Sequence, residues 1–152
     1  KYANQYGWLL IDNSNRKDLF LEMVRQMDMS YSYKPVLLKA VLCYADKKGR
    51  VKLDDIVAYF RKYYEGRRAA GLVVEKANSI FARGGYSAKD AQRNILANPF
   101  KRFEDMNMMH HTKTLGIVQV DEAVWKRLSS EEKEEIARIC DEKLTEYYSR
   151  LA

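Results

Sequence analysis

Residues 34–71, KPVLLKAVLCYADKKGRVKLDDIVAYFRKYYEGRRAAG, decide the fold class. Pro35 suits the first turn of a helix, where its missing N–H leaves no bond unmade. Val36, Leu37, Leu38, Ala40, Val41, Leu42 and Ala45 follow with little polar interruption, so this helix is expected to be buried nearly all round. Asp46-Lys47-Lys48-Gly49 ends it, with Gly49 suited to a left-handed cap. Arg50-Val51-Lys52-Leu53 alternates like a short strand, and Asp54 or Asp55 is placed to N-cap the next helix. Ile56, Val57, Tyr59, Phe60, Tyr63 and Tyr64 carry that helix to about Ala70, where Gly71 stops it. A buried helix, a Gly turn, an extended piece and a capped helix is how helix-turn-helix and winged-helix folds open.

Upstream, Asn13-Ser14-Asn15 caps a helix from about Arg16, with Leu19, Phe20, Met23, Val24 and Met27 on its apolar face. Downstream, Leu72-Val73-Val74 is expected as a short strand, and residues 79–86 as a loop with a Gly84-Gly85 tip. Ser87-x-x-Asp90 opens a helix through Ala97, which Asn98-Pro99 cuts, and Pro99 opens another to Met106. Ile117–Val120 is the best strand candidate, and Asp121 caps a short helix to Leu128. Ser129 and Glu132 form a capping box for a last helix through about Arg150. The expected fold is therefore mainly α, with a winged-helix-like centre and one or two short β-strand pieces.

A length of 152 residues suits one domain. It divides into an N-terminal segment and first helix (1–33), a basic centre (34–128) and a C-terminal helix (129–152). Lys1 without a preceding Met, and a start that reads like the tail of another segment, suggest a domain excised from a larger protein. Cys43 and Cys140 stand singly, without a second Cys or a His at ligand spacing, and are expected to be reduced structural thiols. With no signal peptide and no apolar run of roughly 20 residues, the expectation is a cytoplasmic chain with no membrane contact.

The net charge of +6 is unevenly spread. Residues 34–113 carry seventeen Lys and Arg against eight Asp and Glu, whereas residues 114–152 carry six against nine. A clustered positive field attracts phosphate backbones through counterion release. Arg61, Lys62, Arg67 and Arg68 interleave with tyrosines on one helix, where cations suit phosphate and Tyr can stack on a base. Arg83 beside Gly84-Gly85 is a candidate wing tip, and Lys89, Arg93 and Lys101 extend the set. The same residues read equally as a tyrosine core with a solvated rim.

Signs of catalysis are lacking. His110-His111 point about 100° apart on a helix and to opposite faces of a strand, so two neighbours rarely share a metal. There is no phosphate-binding Gly loop, nucleophile elbow or His-Glu-x-x-His. The carboxylate pairs Asp54-Asp55, Glu104-Asp105 and Asp121-Glu122 sit where helix starts and solvated faces attract acids. Glu75 beside Lys76 lacks an obvious acidic partner. No catalytic residue, metal site or cofactor is expected.

Lys34-Pro35-Val36-Leu37-Leu38-Lys39-Ala40-Val41-Leu42 resembles the opening of small helical domains in bacterial restriction endonucleases of the HNH type. Asn98-Pro99-Phe100 and Trp125 resemble that family's Pro-aromatic segment and late Trp. The segment is also similar to accessory ends of superfamily II helicases in restriction or phage-defence systems. The resemblance implies a DNA-binding accessory module whose catalytic part lies elsewhere in the parent protein, since this chain has no HNH motif.

Three functions stay open at this point. The first is a non-catalytic module binding nucleic acid, duplex DNA above all, in contact with other domains of its parent. The second is a protein-interaction module using the Tyr-rich helix or the acidic last helix. The third is an enzyme with a metal site that no motif reveals.

Overall fold

The computed structural model describes residues 15–151. Its helices are α1 (Arg16–Arg25), α2 (Tyr33–Tyr44), α3 (Leu53–Ala69), α4 (Ile80–Arg83), α5 (Ala88–Ile95), α6 (Lys101–Asp105), α7 (Glu122–Trp125) and α8 (Ser130–Leu151). Strands β1 (Arg50–Lys52), β2 (Met109–Thr112) and β3 (Ile117–Val120) form an antiparallel sheet in the order β1-β3-β2. The chain is mainly α, as its periodicity predicts. No described helix is long and apolar enough to cross a membrane.

Helix α2 occupies the centre because nearly every face of it is apolar. Val36, Leu37, Leu38, Ala40 and Val41 are all buried, and α2 packs against α3 on one side and α8 on another. Helix α8 contributes Ile136, Cys140, Leu144 and Tyr147 to the same core, and α1 contributes Leu19, Phe20, Leu21 and Val24. Burial pushes the Cys140 thiol up to about 12, which keeps it protonated, while Cys43 is exposed; both are free thiols.

Several local expectations hold. Ser87 and Asp90 form a reciprocal capping box at α5, and Ser129 and Glu132 exchange the same pair of bonds at α8. The turns at Leu96–Phe100 kink at an extended Asn98 before a cis Asn98–Pro99 bond, and α6 follows directly. The expected cap at Asn13 and Ser14 lies outside the described residues; Asn15 stands at the N-cap position of α1.

Others are corrected. Lys52, extended at φ −67° and ψ 131°, is the N-cap of α3, so Asp54 and Asp55 lie in the first turn, where acids still favour the positive end. Ala45 ends α2, and Gly49 instead closes the turn from Asp46, its N–H donating to the Asp46 carbonyl at 3.0 Å. At φ +79° a Cβ on Gly49 would also lie 2.7 Å from Trp125 Cγ, so this turn and the tryptophan together require glycine. Leu72–Val74 is not a strand. Its carbonyls are taken by side chains, Val73 by Arg67 Nε at 2.6 Å and Val74 by the Tyr148 hydroxyl at 2.7 Å. Beside β1 and β3, the His110-His111 segment is also a strand: it pairs with β3, Met109 opposite Val120 and Thr112 opposite Ile117.

The centre thus runs α2–β1–α3–α4–α5–α6–β2–β3. The β2–β3 turn is tied to the start of α3, where the Leu53 N–H donates to the Gly116 carbonyl at 2.8 Å. Helix α5 and the hairpin border the same cleft. The β2–β3 loop is Lys113–Gly116, whereas Arg83, expected at a loop tip, ends α4.

Candidate nucleic-acid interface

The cations expected on α3 have diverging fates. Arg67 donates to the Val73 carbonyl and lies over the Tyr148 ring, its guanidinium carbon 3.5 Å from the centroid. Arg68 pairs with Glu65 at 3.0 Å and donates to the Ala82 carbonyl at 3.3 Å and to the Phe81 carbonyl, closing the end of α4. Both guanidinium groups therefore hold the chain together. Arg61 lies 5.9 Å from the Tyr86 centroid, and Lys62 is exposed with no partner among the described residues. Of the tyrosines beside them, Tyr59 and Tyr63 are partly buried and Tyr64 is core. Tyr64 is fully buried, stacks on Phe81 at 4.6 Å and shares a 2.6 Å hydrogen bond with Ser32 Oγ; burial raises its hydroxyl pKa well above the ordinary value.

Arg83 is exposed, again without a partner among the described residues. Lys89 and Arg93 stand one helical turn apart on exposed positions of α5; Arg93 approaches Asp90 at 3.7 Å, and Lys89 is unpaired among the described residues. Lys101 belongs to α6, where it pairs with Asp105 at 3.0 Å and Glu104 at 3.7 Å. Of the eight candidates, Arg67, Arg68 and Lys101 have partners within the chain, while Lys62, Arg83 and Lys89 are unpaired among the described residues.

A cleft of about 290 Å³ opens between α5, the start of α3 and the β2–β3 hairpin. Gln92 lines it from α5 and Leu96 from just past that helix's end, Lys52 and Asp54 from the β1–α3 junction, and His111, Lys113 and Leu115 from the hairpin. Leu115 is 69% exposed at the hairpin tip. The side chains of Lys52, Asp54, Gln92 and Lys113 make no hydrogen bond or ion pair within the described residues, and the ring nitrogens of His111 make none either. The His111 ring is set edge-on to Phe100, centroids 6.1 Å apart. Lys52 ends the basic stretch Lys47–Lys52 and Lys113 stands alone, 61 positions away in sequence; only the pairing of β1 and β2 with β3 brings them to one cleft.

The two histidines do point apart. His110 Nε2 lies 3.2 Å from Asp121 Oδ1, while Asp121 Oδ2 accepts from Arg16 Nε at 3.2 Å. Partial burial would raise the Asp121 carboxyl pKa, but the bonds from His110 and Arg16 outweigh it and hold the pKa below the ordinary range. Among the described residues no three His, Cys, Asp or Glu side chains stand close enough to share a metal ion.

Glu75, which the sequence leaves without a partner, is only 5% exposed. Its carboxylate accepts from the Ser32 N–H at 2.7 Å, the Ser32 hydroxyl, the Tyr147 hydroxyl and the Lys76 N–H at 2.8 Å. Burial, and then the bond to Glu75, raises the Tyr147 hydroxyl pKa far above its ordinary range. With its lone pairs taken, this buried acid joins the 72–79 segment to α2 and α8.

The chain matches no protein-family model, no curated protein and no solved structure.

Proposed function

We propose that this domain binds nucleic acid, duplex DNA above all, as a non-catalytic cytoplasmic module of a larger DNA-processing or defence protein. It would present α5 and the β2–β3 hairpin to the phosphate backbone. The observation that carries this reading is the placement of unpaired cations. Lys52 and Lys113 flank the cleft, and Lys89 lies one turn before Gln92 on the helix that forms its other side. In winged-helix-like centres a helix and a hairpin offer two adjacent elements of the size a groove and its flanking phosphates accept. The resemblance of residues 34–42 to restriction-enzyme accessory domains points the same way.

The test is the salt dependence of duplex binding, followed by fluorescence anisotropy. Each phosphate contact adds roughly 0.9 to the log–log salt slope, so Lys89→Ala with Lys113→Ala should lower it by about 2. Arg138→Ala with Lys143→Ala, on the acidic helix α8, should leave the slope unchanged. Equal losses from the two pairs would mean diffuse attraction and sink the proposed face.

A second reading has one observation in its favour. Leu72 and Val73 are 53% and 46% exposed, next to Val74, which α8 holds through Tyr148. An apolar pair beside an acidic helix suits a protein partner, including another domain of the parent protein.

A further inference from the structure

Resting on the nucleic-acid reading, we infer that the cleft between α5 and the β2–β3 hairpin accepts a single unpaired nucleobase, with a preference for bases that carry an exocyclic amino group. Its volume of about 290 Å³ falls just short of the roughly 300 Å³ at which drug-sized pockets begin, enough for one flat heterocycle and too little for a base pair. Leu96 and Leu115 offer apolar walls of the kind that hold the faces of an extruded base.

The polar groups fit the edge of such a ring. Gln92 supplies both a donor and an acceptor, His111 a second ring-nitrogen pair, and Asp54 an acceptor. An apolar ligand would leave all three unsatisfied, and a free anion would meet the Asp54 carboxylate. The exocyclic amino group of cytosine, adenine or guanine can donate to Asp54, and guanine adds its neighbouring N1–H, whereas an extruded thymine offers only N3–H between two carbonyls that the carboxylate repels. Lys52 and Lys113 then stand at the opening, where the phosphates on either side of an extruded base would lie.

The site is built before any ligand arrives. The Leu53–Gly116 hydrogen bond fixes the hairpin turn against α3, and the Phe100 contact sets the His111 ring. Preorganised walls spare a ligand the ordering cost that loops impose.

The experiment uses the full chain and three DNA duplexes of one length: fully paired, with one bulged guanine, and with one bulged thymine. The expected result is binding about tenfold tighter for the bulged guanine than for the paired duplex, the scale of one good base contact, with thymine in between. Asp54→Asn should remove the guanine–thymine difference, and Gln92→Ala should weaken both bulged duplexes toward the paired value. Leu115→Ala, on an exposed turn that cannot unsettle the core, should narrow the bulged–paired gap while circular dichroism stays unchanged.

Equal, salt-sensitive binding of all three duplexes would overturn the base-pocket inference and leave the nucleic-acid reading standing. A guanine preference that survives all three substitutions would also overturn it, since the bulge's own flexibility would then be the cause. Absence of salt-dependent binding to any duplex would overturn the nucleic-acid reading itself.

Discussion

Glu75 shows how one residue can hold distant parts of a chain together. Its carboxylate gathers donors from residues 32, 76 and 147, so its loss leaves several buried groups without an acceptor at once. Unsatisfied buried donors are costly, so Glu75→Ala is expected to destabilise the domain by about 3 kcal/mol in denaturant unfolding. Tyr147→Phe removes one donor and keeps the ring packed, so it should cost about 1 kcal/mol. Similar losses from the two would show that Glu75 is not the hub. The same four donors occupy both carboxylate oxygens.

At the scale of elements, α5 is the piece most dependent on its ends. An eight-residue helix is too short to be stable alone, and its capping box supplies two of the bonds that its first turn lacks. Asp90 also carries a depressed pKa, owing first to the bond from the Ser87 backbone and then to the one from its side chain. Ser87→Ala is therefore expected to cost about 1 kcal/mol, and to speed amide hydrogen exchange in residues 88–92 more than in α3. Exchange that rises equally in both helices would mean that α5 has no separate opening. Helix α3 behaves differently: Ile56, Val57, Phe60 and Tyr64 bury one whole face, and its last turn is tied down through Arg67 and Arg68. Those two arginines act as staples between α3, the 72–74 segment and α4.

For the whole molecule, the apolar cluster is continuous from α1 through α2, α3 and the sheet to α8. One core implies one cooperative transition rather than independent sub-domains. Helix α8 covers α2 and carries Tyr147 to Glu75, so a chain ending at residue 129 would expose both an apolar helix and a buried carboxylate. Such a chain is expected to lose its sharp thermal transition and near-ultraviolet signal while retaining helical content and binding a hydrophobic dye. A cooperative transition within a few degrees of the parent's would show that α8 is an appendage.

The sequence alone determined what depends on near neighbours. Periodicity marked α2, α3 and α8, the Ser87 and Ser129 boxes marked two helix starts, and Ile117–Val120 marked the central strand, because each signal lies within a few residues of the element it shapes. Strand β2 was not legible, since Met109-His110-His111-Thr112 has weak alternation and becomes a strand only by pairing with β3. Nor was the division of the basic residues: Arg67 and Lys89 look alike in a chain, and only the fold turns one onto a carbonyl and the other to solvent. Glu75, Ser32 and Tyr147 are separated by 43 and 72 positions, and Lys52 meets Lys113 across a cleft that the hairpin closes. Local propensity acts along the chain, whereas hydrogen-bond partners and clefts are chosen by packing, so the elements could be read in advance and the site could not.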